Sequence, residues 1–202
     1  MSAVIHEYAH GWTAYRFGDD TAKGLGRLTL NPLKHIDPLT TVLLPIVCLM
    51  VGMPAFAIAK PVPINPYRLE NPKHDMIWIA AAGPISNLII AFFTSLLIQA
   101  GKSIMSPTVI YLLALIVLIN IVLAVFNLIP IPPLDGSRIV MGLLPRRQAM
   151  VYASIERYGI FIVFLLAWTT DVIPMIVIPV LMVVWKSFGL DESLLRYILT
   201  HG

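Results

Sequence analysis

Five apolar stretches, at roughly 39–59, 76–100, 108–129, 149–170 and 172–187, approach or reach the ~20 residues that carry a helix across the hydrocarbon of a bilayer. They decide the solvent in which this chain folds. Only 12% of the residues are charged, against roughly 25% in soluble domains, and the charges cluster between the apolar stretches. The expectation is an all-α polytopic membrane protein, a single domain over 1–202 with about five to six transmembrane or re-entrant helices in a lipid bilayer. The formal net charge of +3 does not indicate nucleic acid, because basic residues beside apolar spans set membrane orientation. No nucleic-acid partner is expected, and nothing in the sequence sets an oligomeric state. Cys48 is the one cysteine, which excludes an intrachain disulfide and a thiolate metal cluster. MSAVIHEYAH lacks a basic segment followed by an apolar core, so it is expected to belong to the folded protein and not to a cleaved signal.

A helix is expected from Val4 to about Phe17, ending at Gly18-Asp19-Asp20. Leu28, Leu30 and Leu33, set among Gly24, Gly26 and Pro32, predict a short β-hairpin or extended segment over 21–38 at the membrane surface. The stretch 39–59 is apolar but interrupted by Pro45, Gly52 and Pro54 after Pro38, as expected of backbone that lines a protein cavity and turns back within the membrane. Residues 60–75 hold four prolines and both signs of charge, a pattern for an exposed loop. A helix at 76–100 opens with Ala80-Ala81-Ala82-Gly83. Another at 108–129 is stopped by Pro130, Pro132 and Pro133, and Leu134-Asp135-Gly136 follows at once.

His6-Glu7-Tyr8-Ala9-His10 has the form H-E-x-x-H. On a helix, i and i+4 share a face, so two imidazoles can hold one Zn²⁺ while the intervening carboxylate reaches a water on the metal and acts as general base. Such a pattern also arises by chance on ordinary helices. Two histidines and a glutamate in an apolar helix are costly to bury unless paired or metal-bound, however, which favours the metal reading. A catalytic zinc takes three protein ligands and leaves a position for water. Asp135 is the best third ligand, although an Asp-Gly pair alone is an ordinary turn. Asn87 and Asn127 are further polar residues within spans, fit either to bind a substrate backbone or to hydrogen-bond helices together.

HEYAH, AAGPISN (81–87) and NLIPIPPLDG (127–136) together resemble the site-2 protease family of intramembrane zinc metalloproteases, most closely its small bacterial members without a PDZ domain. The resemblance implies one zinc per chain held by His6, His10 and Asp135, Glu7 as catalytic base, Asn127 helping to hold the substrate strand and Asn87 near the site. It implies hydrolysis of peptide bonds in transmembrane or membrane-proximal segments of substrate proteins, with an exposed edge of 21–38 pairing with the extended strand. Family members usually carry a longer apolar stretch before the first histidine than Met1 to Ile5, about 8 Å of helix, so an upstream start or a truncated chain would account for the difference. The alternative is a catalytically inactive metal-binding scaffold or transporter, against which Glu7 argues, since a structural zinc needs no base. A serine or aspartyl mechanism has no support: Ser137 lacks a G-x-S-x-G setting and Asp171 has no partner motif.

If 39–59 crossed the membrane, the two motifs would face opposite sides and could share a zinc only by both sinking deep into the bilayer. If it enters and leaves by the same side, they lie near one face. The loops 16–38, 60–75 and 130–148 and the C-terminal tail then share that side. Thirteen basic residues (Arg16, Lys23, Arg27, Lys34, Lys60, Arg68, Lys73, Arg138, Arg146, Arg147, Arg157, Lys186 and Arg196) then oppose Lys102 alone. By the positive-inside rule that side is cytoplasmic, giving a multi-pass protein of the plasma or inner membrane with its site nearer the cytoplasm.

Overall fold

Inside a bilayer each backbone amide must find its partner within the protein, and a helix supplies it from within its own segment. The computed structural model describes residues 1–50, 52 and 59–201, and every regular element among them is helical. In chain order these are α1 (Ser2–Arg16), α2 (Thr21–Gly24), a 3₁₀ turn (Pro32–His35), a π-helical stretch (Pro38–Leu43) running into α3 (Leu44–Met50), a 3₁₀ turn (Pro66–Arg68), α4 (Pro72–Gly101) and α5 (Pro107–Asn127). Then follow α6 (Asp135–Leu143), α7 (Arg146–Ser154), α8 (Glu156–Thr169), α9 (Val172–Ser187) and α10 (Glu192–His201). Two of them, α4 and α5, are long and apolar enough to cross a membrane, at about 45 and 32 Å of helix. Each starts with proline at its first turn, and the N-cap Ser106 accepts from the Val109 amide at the head of α5.

These two spans pack against each other, and α1 lies along the first half of α4. Ser2 reaches Asn120 in α5, whereas Gly18, just past the helix, meets the carbonyl of Arg68. The helix therefore rises from the bundle interior to the end where α4 begins and α5 finishes. Helices α7 and α8 meet at 60°, and α6 packs on α4. The apolar core lies towards the other end, where Trp185, Leu181 and Val177 of α9 and Leu195 and Ile198 of α10 meet Ala114, Val117 and Ile121 of α5.

Residues 21–38 form no hairpin. Asp19 Oδ1 accepts from the amide (3.0 Å) and hydroxyl (2.5 Å) of Thr21, which starts α2, and Asn31 Oδ1 accepts from the Leu33 amide to start the 3₁₀ turn. Local turn carbonyls, with these side-chain acceptors, have taken the donors that a strand ladder would use. The segment is tied to residues 60–65: the Lys60 amide donates to the His35 carbonyl, Arg27 to the carbonyls of Lys60 and Pro61, and the Asn65 amide to Asp19 Oδ2 at 2.6 Å. The flanks of 39–59 thus meet at one end of the bundle. Pro38–Met50 is a short apolar helix, while the expected turn back, at residue 51 and 53–58, falls outside the described residues.

The C-terminal half departs from expectation more sharply. Gly159 of α8 lies against Pro132 and Pro133, at the end where α5 finishes, but Phe188, just past α9, accepts a hydrogen bond from Gln99 near the finish of α4. Between them the chain passes from one end of the bundle to the other. α7 and α8 are long and apolar enough for one span only when taken together across their 60° bend, and α9, at 16 residues, is a shorter apolar helix whose end lies opposite the start of α8. Tyr197 stacks edge-on with Tyr111 near the start of α5. Lys186 and Arg196 consequently join Lys102 at the far end, and the C-terminal tail does not share the side of 60–75.

Candidate metal centre

The four-residue spacing of His6 and His10 turns both imidazoles from α1 towards α4, where each residue is 6% exposed. They pack edge to face with centroids 4.6 Å apart. The room for them comes from Gly83: a Cβ there would lie 2.6 Å from Cε1 of both His6 and His10. No side chain larger than hydrogen fits beneath the pair.

Each ring is fixed from behind. His10 Nδ1 donates to the Ile79 carbonyl at 2.6 Å, and His6 Nδ1 donates to Asn87 Oδ1 at 2.6 Å. With Nδ1 of each ring engaged by an acceptor, Nε2 is the atom left to face a metal, the arrangement that second partners impose on metal-binding histidines. The two Nε2 atoms lie 3.0 Å apart, and Asp135 Oδ2 lies 3.0 Å from His6 Nε2 and 3.3 Å from His10 Nε2. Two lone pairs and a carboxylate oxygen in a buried triangle repel one another unless a cation joins them. A tetrahedral zinc with ligands at 2.0–2.1 Å sets those ligands roughly 3.3–3.4 Å apart, so the triangle fits one face of such a site.

Asp135 arrives from a separate element. Pro130, Pro132 and Pro133 end α5, and the turn 128–134 closes through hydrogen bonds from Ile131 to Ile129 and from Leu134 to Ile131. Asp135 is the first residue of α6, where the helix dipole favours its charge. The next residue must be small: a Cβ on Gly136 would lie 2.7 Å from the Ile129 carbonyl oxygen.

The triangle opens on a cavity of ≈ 290 Å³ whose lining includes Glu7, Asn127, Arg138, Phe126, Ile160 and Val163. Glu7 is held at its edge by the Val62 amide, which donates to Oε2 at 2.8 Å. Asn127 faces the cavity and donates from Nδ2 to the Leu123 carbonyl of its own helix. Asn87 does not line it; fully buried behind His6, its Oδ1 is engaged with that ring and its Nδ2 with Asn120. His6, Glu7, His10, Asp135 and Asn127 therefore converge, with Asn87 one layer back.

Several parts of the centre have no expression in the sequence reading. The Ile79 carbonyl and the Val62 amide are backbone groups without a residue signature. Gly83 reads as a small residue in a packing run. Asn120 carries the same signal as Asn87, a polar side chain inside an apolar span, and completes the buried chain.

Residues 96–170 match the model of peptidase family M50. The chain is 40% identical to "Putative zinc metalloprotease YwhC" of Bacillus subtilis over 90% of its own length and 82% of that protein's. It is 30% identical to "Putative zinc metalloprotease Rip2" of Mycolicibacterium smegmatis over 84% of its length and 64% of that protein's, and 30% identical to the Mycobacterium tuberculosis protein of the same name over 67% and 51%. No solved structure matches it. With its zinc-fitting triangle carried by α1 and α6 against α4, a helix long and apolar enough to cross a membrane, the chain belongs to peptidase family M50, the site-2 protease family of zinc metalloproteases.

Proposed function

We propose that this chain, folded as one domain over 1–202, hydrolyses peptide bonds of transmembrane or membrane-proximal substrate segments with one zinc ion per chain. The observation that carries the reading is the buried triangle of His6 Nε2, His10 Nε2 and Asp135 Oδ2, with both Nδ1 atoms committed elsewhere. Zinc bound there supplies a Lewis acid that yields a water nucleophile near neutral pH. Glu7, fixed through one oxygen by Val62, takes the proton of the attacking water and returns it to the leaving amine. Asn127, on the cavity wall, hydrogen-bonds the backbone of an extended substrate. Apolar walls from Phe126, Ile160 and Val163 receive its side chains and keep bulk water out.

The site opens near the end of the bundle that carries Lys23, Arg27, Lys60, Arg68 and Lys73, and that charge supports a cytoplasmic orientation in the plasma or inner membrane. The flanks of 39–59 meet at that face through the hydrogen bonds of Lys60 to His35 and of Arg27 to Lys60. The test is metal analysis and cleavage of a membrane-embedded substrate by detergent-purified protein. Glu7→Gln is expected to retain about one zinc and lose cleavage, because the amide cannot accept the proton. Near-normal turnover in that variant would reject Glu7 as base, and undiminished zinc in His10→Ala and Asp135→Ala would reject the ligand set.

A further inference from the structure

Behind His6 runs a chain of hydrogen bonds that crosses from α1 through α4 to α5. His6 Nδ1 meets Asn87 Oδ1 at 2.6 Å, Asn87 Nδ2 donates to Asn120 Oδ1 at 2.8 Å, and Asn120 Nδ2 donates to the Ile116 carbonyl at 2.8 Å and to Ser2 Oγ at 2.9 Å. Both asparagines are fully buried. Buried amides that merely joined helices would serve in either orientation. This chain has only one.

The polarity is set at its far end. A backbone carbonyl can only accept, so the amide face of Asn120 that meets Ile116 must be its NH₂, which turns Oδ1 towards Asn87. Asn87 must answer with its own NH₂, which leaves Oδ1 for His6. His6 Nδ1 must then carry the proton, and Nε2 is left bare towards His10 and Asp135. Without an acceptor at 120, Asn87 is free to turn by 180° and offer NH₂ to Nδ1. The proton of His6 would then sit on Nε2 and block it as a ligand.

We propose that Asn120 is a positioning residue of the metal centre: anchored on Ile116, it fixes the orientation of the Asn87 amide and through it the His6 tautomer that can bind a metal. The inference rests on the assignment of His6, His10 and Asp135 as the zinc ligands. It concerns a residue about 10 Å along α5 from Asn127, outside the cavity lining.

Full-length protein in detergent, stripped of metal and labelled with ¹⁵N in histidine, tests it at a pH where the imidazoles are neutral. Wild-type His6 is expected to be protonated at Nδ1 and bare at Nε2. Asn120→Leu, which removes the acceptor at similar volume, should show a population protonated at Nε2 and bind zinc about tenfold more weakly in competition with a chromophoric chelator. Asn120→Asp, whose buried carboxyl in its neutral form donates to the Ile116 carbonyl and still presents an acceptor to Asn87, should bind within about threefold of wild type, which a packing role alone does not predict. Equal losses in the two variants, or wild-type His6 protonated at Nε2, would overturn the proposal, and the second measurement stands even if Asn120→Leu fails to fold. If wild type holds no zinc, or His10→Ala holds as much as wild type, the metal assignment falls and the inference with it. If those controls behave and Asn120→Leu binds zinc like wild type, only the inference falls.

Discussion

The two ends of the bundle are built on different principles. Between the end where α4 begins and the middle of the bundle lie eight of the nine buried polar residues among those described, His6, His10, Asp19, His35, Asp75, Asn87, Asn120 and Ser137, with Ser95 the exception. At the other end, Trp185, Leu181, Leu195 and Ile198 pack on Ala114, Val117 and Ile121. Lipid tails are as apolar as leucine, so helices in a bilayer gain little from hiding apolar surface from each other. The far end is therefore held by close fit, which tolerates exchange of one apolar side chain for another. Buried polar groups must be paired one at a time. The site end is accordingly specified by direction and distance, and small changes there cost more function than large changes elsewhere.

The most decisive break of this picture would be topological, because the outcome is all or none. Single cysteines at Asp20, Glu70 and Glu192 in a Cys48→Ala background, probed in intact cells with a membrane-impermeant thiol reagent, should divide into two groups. Asp20 and Glu70 are expected to be protected together, since residues 19–20 and 65–68 are joined by hydrogen bonds and an Arg68–Asp20 ion pair. Glu192 should label, since the chain has passed to the other end by Phe188. Co-protection of all three would return the C-terminal tail to the side of the site.

Next in size is Gly83→Ala. The added methyl must displace the rings of both His6 and His10, and a misplacement of about 1 Å at a reacting centre can cost on the order of 10²-fold in rate. A loss of about that size in turnover, together with weakened zinc binding, is expected in protein that still folds. Wild-type kinetics would mean that α1 and α4 can part without harm, contrary to the tight fit proposed for the site end.

How far this centre could be read beforehand depends on where its information resides. HEYAH and LDG are legible because the reacting side chains themselves carry the chemistry, and their ligand spacing is local or set by a proline stop. Ile79 and Val62 contribute through backbone atoms, which any residue supplies, so no pattern could have marked them. Asn120 had a visible signal, yet its meaning depends on a partner 33 residues away. The Leu28, Leu30, Leu33 alternation suggested strands because short capped turns can space leucines in the same way. Hydropathy also cannot tell two spans from two short helices that between them carry the chain across, and so the route through α8 and α9 came only from the contacts of Gly159 and Phe188.

A smaller effect is expected where a backbone donor meets the base. Val62→Pro removes the N–H that fixes Glu7 Oε2, and hydrogen bonds to charged groups contribute roughly 1.5–3 kcal/mol. Zinc content should stay at the wild-type level while turnover falls about tenfold, with Val62→Ala, which keeps the amide, close to wild type. Equal losses in both variants would point instead to the packing of the Val62 side chain over Gly11, where a Cβ would lie only 2.8 Å from Val62 Cγ1.

The smallest effect on the site should come from the largest deletion in the bundle. Trp185 is fully buried among α5, α9 and α10, and its Nε1 donates to the Asp191 carbonyl at 3.1 Å. Trp185→Ala removes that bond and opens a cavity, a change that costs roughly 3–5 kcal/mol in soluble cores. In a bilayer the loss should fall towards the lower figure, because the transfer contribution from water is missing and only packing and one hydrogen bond are given up. The thermal transition in detergent should therefore drop clearly. Zinc affinity of the folded protein should stay within about threefold of wild type, since sites without shared partners behave nearly independently. The cluster that holds Trp185 reaches the site end through α5, which carries Asn120 as well as Val117 and Ile121, through α4, which carries Asn87 as well as Ala91 and Ile98, and through Ile129 of the turn that presents Asp135. If zinc affinity falls in step with stability, these shared elements transmit strain from the packed cluster to the site, and the separation of the two ends fails.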